Sequence, residues 1–229
     1  MPVDEELRTE ILQLASNNTK AKTPISIMTQ TVDEHEHSGE MQYPYLYKCC
    51  NSSTNSGSPS TTAPIKVLPI MCGNLSTKQE QEYGHLLAPI IARPSVLTVI
   101  SSDFCHWGSR FGYQPTPDDS NNNAMSISQF IRELDHDGMR PIELQNPGGF
   151  AMYLKRTRNT ICGRHPIAVY LHAIDFYNNI SGSGGDDTAE STKQQQVDIE
   201  FIMYDQSSQV QSLSDSSVSY AAAVARLKA

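Results

Sequence analysis

Apolar residues recur with the 3.6-residue period of an amphipathic helix in five stretches of the chain. Ser76 or Thr77 can open a capping box before the second stretch. Asn146 and Pro147 supply a favoured N-cap and a favoured first helical residue to the fourth. Helices are therefore predicted over Pro2–Ser16, Ser76–Ala92, Met125–Asp137, Asn146–Arg158 and a stretch that begins at Pro166.

Four other stretches have the pattern of strands. Ile65–Met71 and Val96–Ile100 are short apolar runs, and the second is rich in β-branched residues, which is typical of a buried strand. Gln196–Tyr204 alternates apolar and polar positions, and its connection to Ser216–Ala225 allows an antiparallel hairpin. These elements predict an α/β fold with a mixed sheet flanked by helices.

Two polar segments, 49–64 and 181–195, are rich in Ser, Thr, Asn and Gly and poor in large apolar residues. Such segments bury too little apolar surface to offset the entropy lost on ordering, so both are predicted to be low-complexity surface insertions. No linker separates two self-sufficient patterns elsewhere. Residues 1–229 are therefore predicted to form one α/β domain.

Charge and cysteine content narrow the class of protein. A net charge of −8, with 17 scattered Lys and Arg residues, argues against a nucleic-acid-binding surface. No apolar run approaches the length of a membrane span. Five cysteines, an odd number in a chain without a visible secretory signal, indicate reduced thiols and a cytoplasmic or nuclear location.

The densest cluster of chemically active residues is SSDFCHWG, which directly follows the apolar run Val96–Ile100. Within it, Asp103, Cys105, His106 and Trp107 bring a carboxylate, a thiol, an imidazole and an indole to the end of a predicted strand, where ligands bind in open α/β sheets. A second candidate, Cys162, lies in the connection between two predicted helices and is followed by glycine, so its side chain can be aimed into a pocket.

Three chemical schemes compete for these residues. Cys162-x-x-His165 has the spacing of two zinc ligands, although a second pair is missing. Cys162 could instead be a nucleophile with His106 as its base. The third scheme is a metal-dependent oxidative site in which Cys162 ligates the metal, His106 transfers protons and Asp103 orients His106.

The segment DEHEHSGEMQYPYL places His37 among several acidic residues. Acids and imidazoles at this density can form a metal site or exchange protons near neutral pH. The alternative is a solvated turn whose charges compensate one another and which caps the following helix. The sequence favours the turn.

Four segments, SSDFCHWG, NTICGRHP, DEHEHSGEMQYPYL and SSVSYAA, resemble in motif and roughly in spacing the Memo family, named as a mediator of growth-factor-receptor-driven cell motility. The resemblance runs from about Pro2 to Ala222. It implies the α/β fold of class III non-haem iron extradiol dioxygenases (LigB-like) and a pocket that binds iron or copper. Cys162 then corresponds to the family's cysteine ligand and His106 to its proton-transferring histidine. The residues expected to line the pocket are Asp103, His37, Cys105, Trp107 and His165.

The resemblance is incomplete at the N-terminus. The family's two histidine ligands lie on HAGY-like and SHH-like motifs, which do not occur in this sequence. We therefore expect an N-terminally truncated Memo-like domain with an incomplete metal site and impaired metal chemistry. The alternative expectation is a non-enzymatic adaptor that binds a phosphotyrosine-containing peptide or a signalling protein.

Overall fold

A computed structural model describes residues 1–17, 24–51, 64–117, 125–181 and 197–227. These residues form two compact units, Met1–Gly73 and Asn74–Ala229, and each unit is described by itself. Most of the two predicted insertions, 49–64 and 181–195, lies outside the described residues. The assignment of 1–229 to a single domain stays a prediction.

The described residues of the first unit form three α-helices. They are α1 (Glu5–Asn17), α2 (Gln30–Glu34) and α3 (Ser38–Asn51). The helix predicted over Pro2–Ser16 is confirmed as α1, whose first turn is capped by the Asp4 carboxylate: Leu7 N–H donates to it over 3.1 Å. The one buried apolar residue among the described part of this unit is Ile11.

The acidic segment around His37 is the turn between α2 and α3. The Glu36 carboxylate accepts the backbone N–H groups of Ser38 at 2.7 Å and Gly39 at 2.8 Å, so it caps the N-terminus of α3. His37 faces Glu40 at 3.7 Å, and both side chains are exposed. The predicted helix-capping turn is therefore confirmed.

The predicted strand Ile65–Met71 is wrong. Among the described residues it forms only one parallel bridge, between Val67 and Val3. Asp4 N–H donates to the Val67 carbonyl, and Val67 N–H donates to the Pro2 carbonyl, each over 2.9 Å. Pro69 has no N–H to donate, which limits further pairing along this run.

The described residues of the second unit form four α-helices. They are α4 (Thr77–Ile91), α5 (Ile127–Glu143), α6 (Pro147–Thr157) and α7 (Arg164–Ser181). The caps that the sequence predicts are present: Ser76 forms a capping box with Gln79, and Asn146 accepts the Gly149 N–H at 2.8 Å. The second and fourth predicted helices are thus confirmed at their N-termini.

A small sheet completes this unit. Its strands are β1 (His106–Trp107), β2 (Val197–Gln206) and β3 (Ser217–Leu227), in the spatial order β1-β3-β2. The predicted hairpin of β2 and β3 is confirmed, with a bulge between Phe201 and Met203. Every strand pair in the described residues is antiparallel, so the sheet is not the mixed sheet that was predicted. Helices with a small antiparallel sheet remain compatible with the α/β class.

The predicted buried strand Val96–Ile100 is also wrong. Leu97 is 78% exposed and Val99 44% exposed, and the run has no strand partner among the described residues. Pairing with β3 begins only at Phe104, whose N–H donates to the Ser219 carbonyl over 2.9 Å. An apolar composition indicates only that a segment tends to be buried. A strand also needs a neighbouring strand with which its backbone N–H and C=O groups can form hydrogen bonds.

Two clusters of buried side chains lie on either side of β1. The larger contains Phe104, Met139, Ile142, Phe150, Tyr153, Ile161, Ile167, Ala168, Leu171, Ile174 and Ile199. The smaller contains Cys105, Trp107, Ile131 and Val210. Because neighbouring side chains of an extended chain point to opposite faces, Cys105 and Trp107 enter the smaller cluster while His106 points away from it.

None of the helices in the described ranges is long and apolar enough to cross a membrane.

The packing of α4 against α7 predicts the effect of a Gly84→Ala substitution. A Cβ atom at Gly84 would lie 2.6 Å from the Cβ of His172 and 2.8 Å from the Val169 carbonyl oxygen. We expect this overpacking to outweigh the ~1 kcal/mol helix-propensity gain of alanine and to lower the free energy of unfolding by about 1–3 kcal/mol. Chemical denaturation measures the change.

Gly148→Ala is the matched control, because a Cβ there meets only the Asn146 side chain at an ordinary 3.6 Å. Its stability should equal or exceed that of the wild type. Equal stability of Gly84→Ala and wild type would show that α4 and α7 separate without cost.

Candidate functional site

The site forms where the segment before β1 meets the connection between α6 and α7. Cys162 N–H donates to the Asp103 carbonyl over 3.3 Å, and Gly163 N–H donates to the Ser102 hydroxyl over 2.9 Å. A Cβ at Gly163 would lie 2.4 Å from the Ser102 Cβ, so only glycine permits this approach. The glycine after Cys162 therefore brings the two segments together.

The Cys162 thiol lies at this junction and is exposed. Its Sγ accepts the Asp103 backbone N–H at 3.0 Å, and the Ser102 hydroxyl lies 3.9 Å away. The sulfur is thus held by the backbone while one side stays open to solvent.

His106 is held by both polar groups of Thr160. The His106 backbone N–H donates to Thr160 Oγ1 over 2.7 Å, and His106 Nδ1 lies 3.0 Å from the Thr160 carbonyl oxygen. Since a carbonyl oxygen can only accept, this contact places the proton of the neutral ring on Nδ1. The ring also packs edge-on against Phe111, with centroids 5.3 Å apart.

The second ring nitrogen, Nε2, lies 3.5 Å from the Asp103 carboxylate, and this side of the ring is partly exposed. With Nδ1 protonated, Nε2 carries the lone pair and can take up a proton. The Asp103 carboxylate faces the nitrogen at which that proton would be held. Asp103 therefore touches both functional groups: its backbone binds the Cys162 sulfur and its side chain faces His106.

A buried carboxylate that the sequence predictions missed lies behind this junction. Asp135 of α5 is fully buried, and its Oδ1 accepts the Cys105 backbone N–H at 3.2 Å and the Asn159 side-chain amide at 2.9 Å. Its Oδ2 accepts the Tyr204 hydroxyl at 3.0 Å. The signal in the sequence was an acid in line with the apolar residues Ile131 and Ile142, where a helix buries its face.

The surroundings of Asp135 shift several ionisation equilibria. Burial raises the pKa of Asp135, although hydrogen bonds from Ser219, Asn159, Tyr204 and the Cys105 N–H oppose the rise. Burial, followed by the nearby Asp135 charge, raises the pKa of the Cys105 thiol well above its usual range. Cys105 is therefore a neutral core thiol, unlike the exposed Cys162.

The remaining predicted pocket residues have other contacts. Trp107 is fully buried and donates its indole N–H to the Pro115 carbonyl over 2.8 Å. His165 directs Nδ1 to the Glu80 carboxylate of α4 at 2.6 Å, and His37 belongs to the first unit. The junction brings together Asp103, His106 and Cys162, and a pocket role for Trp107, His165 and His37 stays a prediction.

Metal ligands are sparse in this part of the molecule. Across the described ranges, no group of three or more His, Cys, Asp or Glu side chains is placed to hold a metal ion. His165 directs Nδ1 to the Glu80 carboxylate at 2.6 Å, and the pairing of Cys162 with His165 at a metal site stays a prediction. As far as the described residues go, they do not fit a complete iron or copper centre.

The fold and the junction define a class of α/β protein with one site formed by two connecting segments. At this site an exposed thiol lies near an imidazole whose tautomer is fixed by a backbone carbonyl. The chain belongs to the Memo family, since residues 1–224 match the family described as Memo-like protein. Relatives include Protein MEMO1 of Rattus norvegicus, 42% identical over 195 residues, and Protein MEMO1 of Homo sapiens, 41% identical over 195 residues. In both comparisons the match covers 85% of this chain and 57% of the relative.

Protein memo-1 homolog of Caenorhabditis elegans is 36% identical over 205 residues, which is 90% of this chain and 51% of that protein. The chain therefore spans about half the length of the curated relatives that it matches. The family resemblance read from the sequence is confirmed.

Asp135 predicts a distinctive dependence of stability on pH. Between the ordinary pKa of 3.8 and the raised value, the native state binds more protons than the unfolded state. The contribution of Asp135 to the free energy of unfolding therefore falls as pH rises through this range. We expect Asp135→Asn to abolish that fall in denaturation measured from pH 3.8 upward.

Asp137→Asn is the control, since Asp137 lies on the same helix but is half-exposed and pairs with Arg156 at 3.2 Å. It should leave the pH dependence of the wild type in place. A difference between wild type and Asp135→Asn that stays constant with pH would contradict the assignment.

Proposed function

We propose that this chain is a Memo-like protein with a metal-type pocket centred on Cys162 and related to that of non-haem iron dioxygenases. In this proposal His106 is the proton-transferring group and Asp103 is its charged partner. The pocket would serve redox or metal handling and cell-motility signalling. Five free cysteines fit a reducing compartment, the cytosol or the nucleus.

The observation that supports this proposal is the position of Asp103 between the thiol and the imidazole. Its N–H lies 3.0 Å from Cys162 Sγ, and its carboxylate lies 3.5 Å from His106 Nε2. The sulfur of Cys162, a soft metal donor, and Nε2 of His106, a proton acceptor, are thus both in contact with Asp103. A bound substrate that contacts Cys162 would have a base within reach at the same junction.

The proton step needs only residues of this chain. His106 Nε2 takes a proton from a bound group, while the Thr160 carbonyl keeps the other ring proton on Nδ1. The Asp103 carboxylate lies 3.5 Å from Nε2, on the side of the ring where the proton is taken up. Return of the proton to a product restores the neutral ring.

A thiolate such as that of Cys162 is a suitable ligand for iron or copper. The described residues supply this one soft donor beside Asp103 and His106, without a three-ligand group. We therefore propose that the chain binds such ions weakly, well short of the ~10–16 kcal/mol that complete structural zinc sites reach. Impaired metal chemistry follows from the same shortage of ligands.

Metal binding tests this proposal through Cys162→Ser. We expect anaerobic titration of the full chain with ferrous ion, and with cuprous ion against a competing chelator, to show weak binding that Cys162→Ser abolishes. Cys49→Ser is the control, because Cys49 is also an exposed free thiol but belongs to α3 of the first unit.

Two results would contradict the proposal. Tight stoichiometric binding of either ion would show that the site is complete. An equal loss of binding in Cys162→Ser and Cys49→Ser would show that the metal associates with exposed thiols in general.

The alternative function is a non-enzymatic adaptor that binds a phosphotyrosine-containing peptide. One observation favours it: the Arg110 guanidinium lies 4.4 Å from the centre of the Phe111 ring, and that ring packs against His106. A cation and an aromatic face beside the junction suit an anionic aromatic side chain.

Peptide binding separates the adaptor from the metal pocket. If the adaptor function is correct, a phosphotyrosine peptide should bind by fluorescence anisotropy in the presence of chelator and to Cys162→Ser. Arg110→Ala should weaken that binding. Arg132→Ala should not, because Arg132 lies over the Tyr204 ring instead. Loss of peptide binding in Cys162→Ser would instead support the metal pocket.

A further inference from the structure

Asp135 connects the two segments that carry the functional groups. One oxygen, Oδ1, accepts the N–H of Cys105, which precedes His106, and the side-chain amide of Asn159, which precedes Thr160. This one buried oxygen is therefore hydrogen-bonded to the residue before His106 and to the residue before Thr160. This arrangement fixes the spacing between His106 and Thr160.

Asn159 has only one way to satisfy its side chain here. Its Nδ2 donates to Asp135 at 2.9 Å and to the Tyr153 hydroxyl at 2.7 Å, and its Oδ1 accepts the Thr160 N–H at 2.7 Å. A flipped amide would present its oxygen to the Asp135 carboxylate and its NH₂ group to the Thr160 N–H. Asp135 therefore fixes the orientation of the Asn159 side-chain amide, and Asn159 fixes the orientation of the Thr160 peptide group.

Thr160 in turn holds His106 at two points. Its Oγ1 accepts the His106 backbone N–H at 2.7 Å, and its carbonyl accepts the ring at Nδ1 over 3.0 Å. In water, neutral histidine favours the other tautomer, with the proton on Nε2. The Thr160 carbonyl reverses that preference only if the peptide stays in the orientation that Asn159 imposes.

We propose that Asp135 is a positioning residue that, through Asn159 and Thr160, holds neutral His106 as the Nδ1–H tautomer with Nε2 available to take up a proton. The importance of Nε2 rests on the function proposed above. The tautomer itself does not, because it follows from the contacts of the metal-free protein.

The test is nitrogen-15 NMR of the histidine side chains in the full chain, with chelator present, for wild type, Asp135→Asn and Asn159→Ala. In wild type the neutral His106 ring should be mainly the Nδ1–H tautomer. Each substitution should lower the ratio of Nδ1–H to Nε2–H tautomer by about fivefold, the scale of one net hydrogen bond.

Asp137→Asn serves as the matched control, because Asp137 is an acid of α5 that pairs with Arg156 and does not contact the Asp135 network. It should leave the His106 tautomer ratio unchanged. Circular dichroism melts identify which variants are folded. If one of the two test variants does not fold, the tautomer ratios of the other variant and of the wild type still test the inference.

Three results would overturn the inference: a mainly Nε2–H ring in wild type, an unchanged ratio in folded Asp135→Asn and Asn159→Ala, or an equal change in Asp137→Asn. Because no metal or peptide is present, these outcomes are independent of the binding tests on Cys162 and Arg110. A fixed tautomer without metal or peptide binding would retain the positioning role and remove the proposed function.

Discussion

The Asp135 carboxylate accepts hydrogen bonds from three separate parts of the chain: the segment before β1, the α6–α7 connection and strand β2. Transferring a carboxylate from water to the interior is costly unless several donors replace its hydration. No Lys or Arg pairs with it in the described part of the chain. The donors must therefore remain together for the charge to remain buried, and the junction that carries the thiol and the imidazole depends on that requirement.

Local signals in the sequence were sufficient for most helix starts and for the hairpin. Ser76 and Asn146 cap helices because their side chains reach nearby backbone N–H groups, an interaction confined to four residues. The strand predictions at Ile65–Met71 and Val96–Ile100 failed for the opposite reason. A strand depends on a neighbour that is distant in sequence, and an apolar run does not identify that neighbour.

The candidate site was predicted in part. The glycine after Cys162 indicated a connection that can aim the thiol into a pocket, and the structure shows that this glycine also allows the close approach of Ser102. Asp103 and His106 were identified by their chemistry, and the structure places the Asp103 carboxylate 3.5 Å from His106 Nε2. Asp135 was missed because an acid in an apolar helical face can be read as an interruption of the pattern. Only the three-dimensional structure shows the donors that surround it.

The close contact at Gly84 has a consequence for the reactive end of α7. Without a Cβ at that position, the backbones of α4 and α7 approach so closely that an added Cβ would lie 2.6 Å from the His172 Cβ and 2.8 Å from the Val169 carbonyl oxygen. Cys162 lies two residues before the first residue of α7. A larger residue at Gly84 would therefore have to displace α7, the helix into which the connection that carries Cys162 leads.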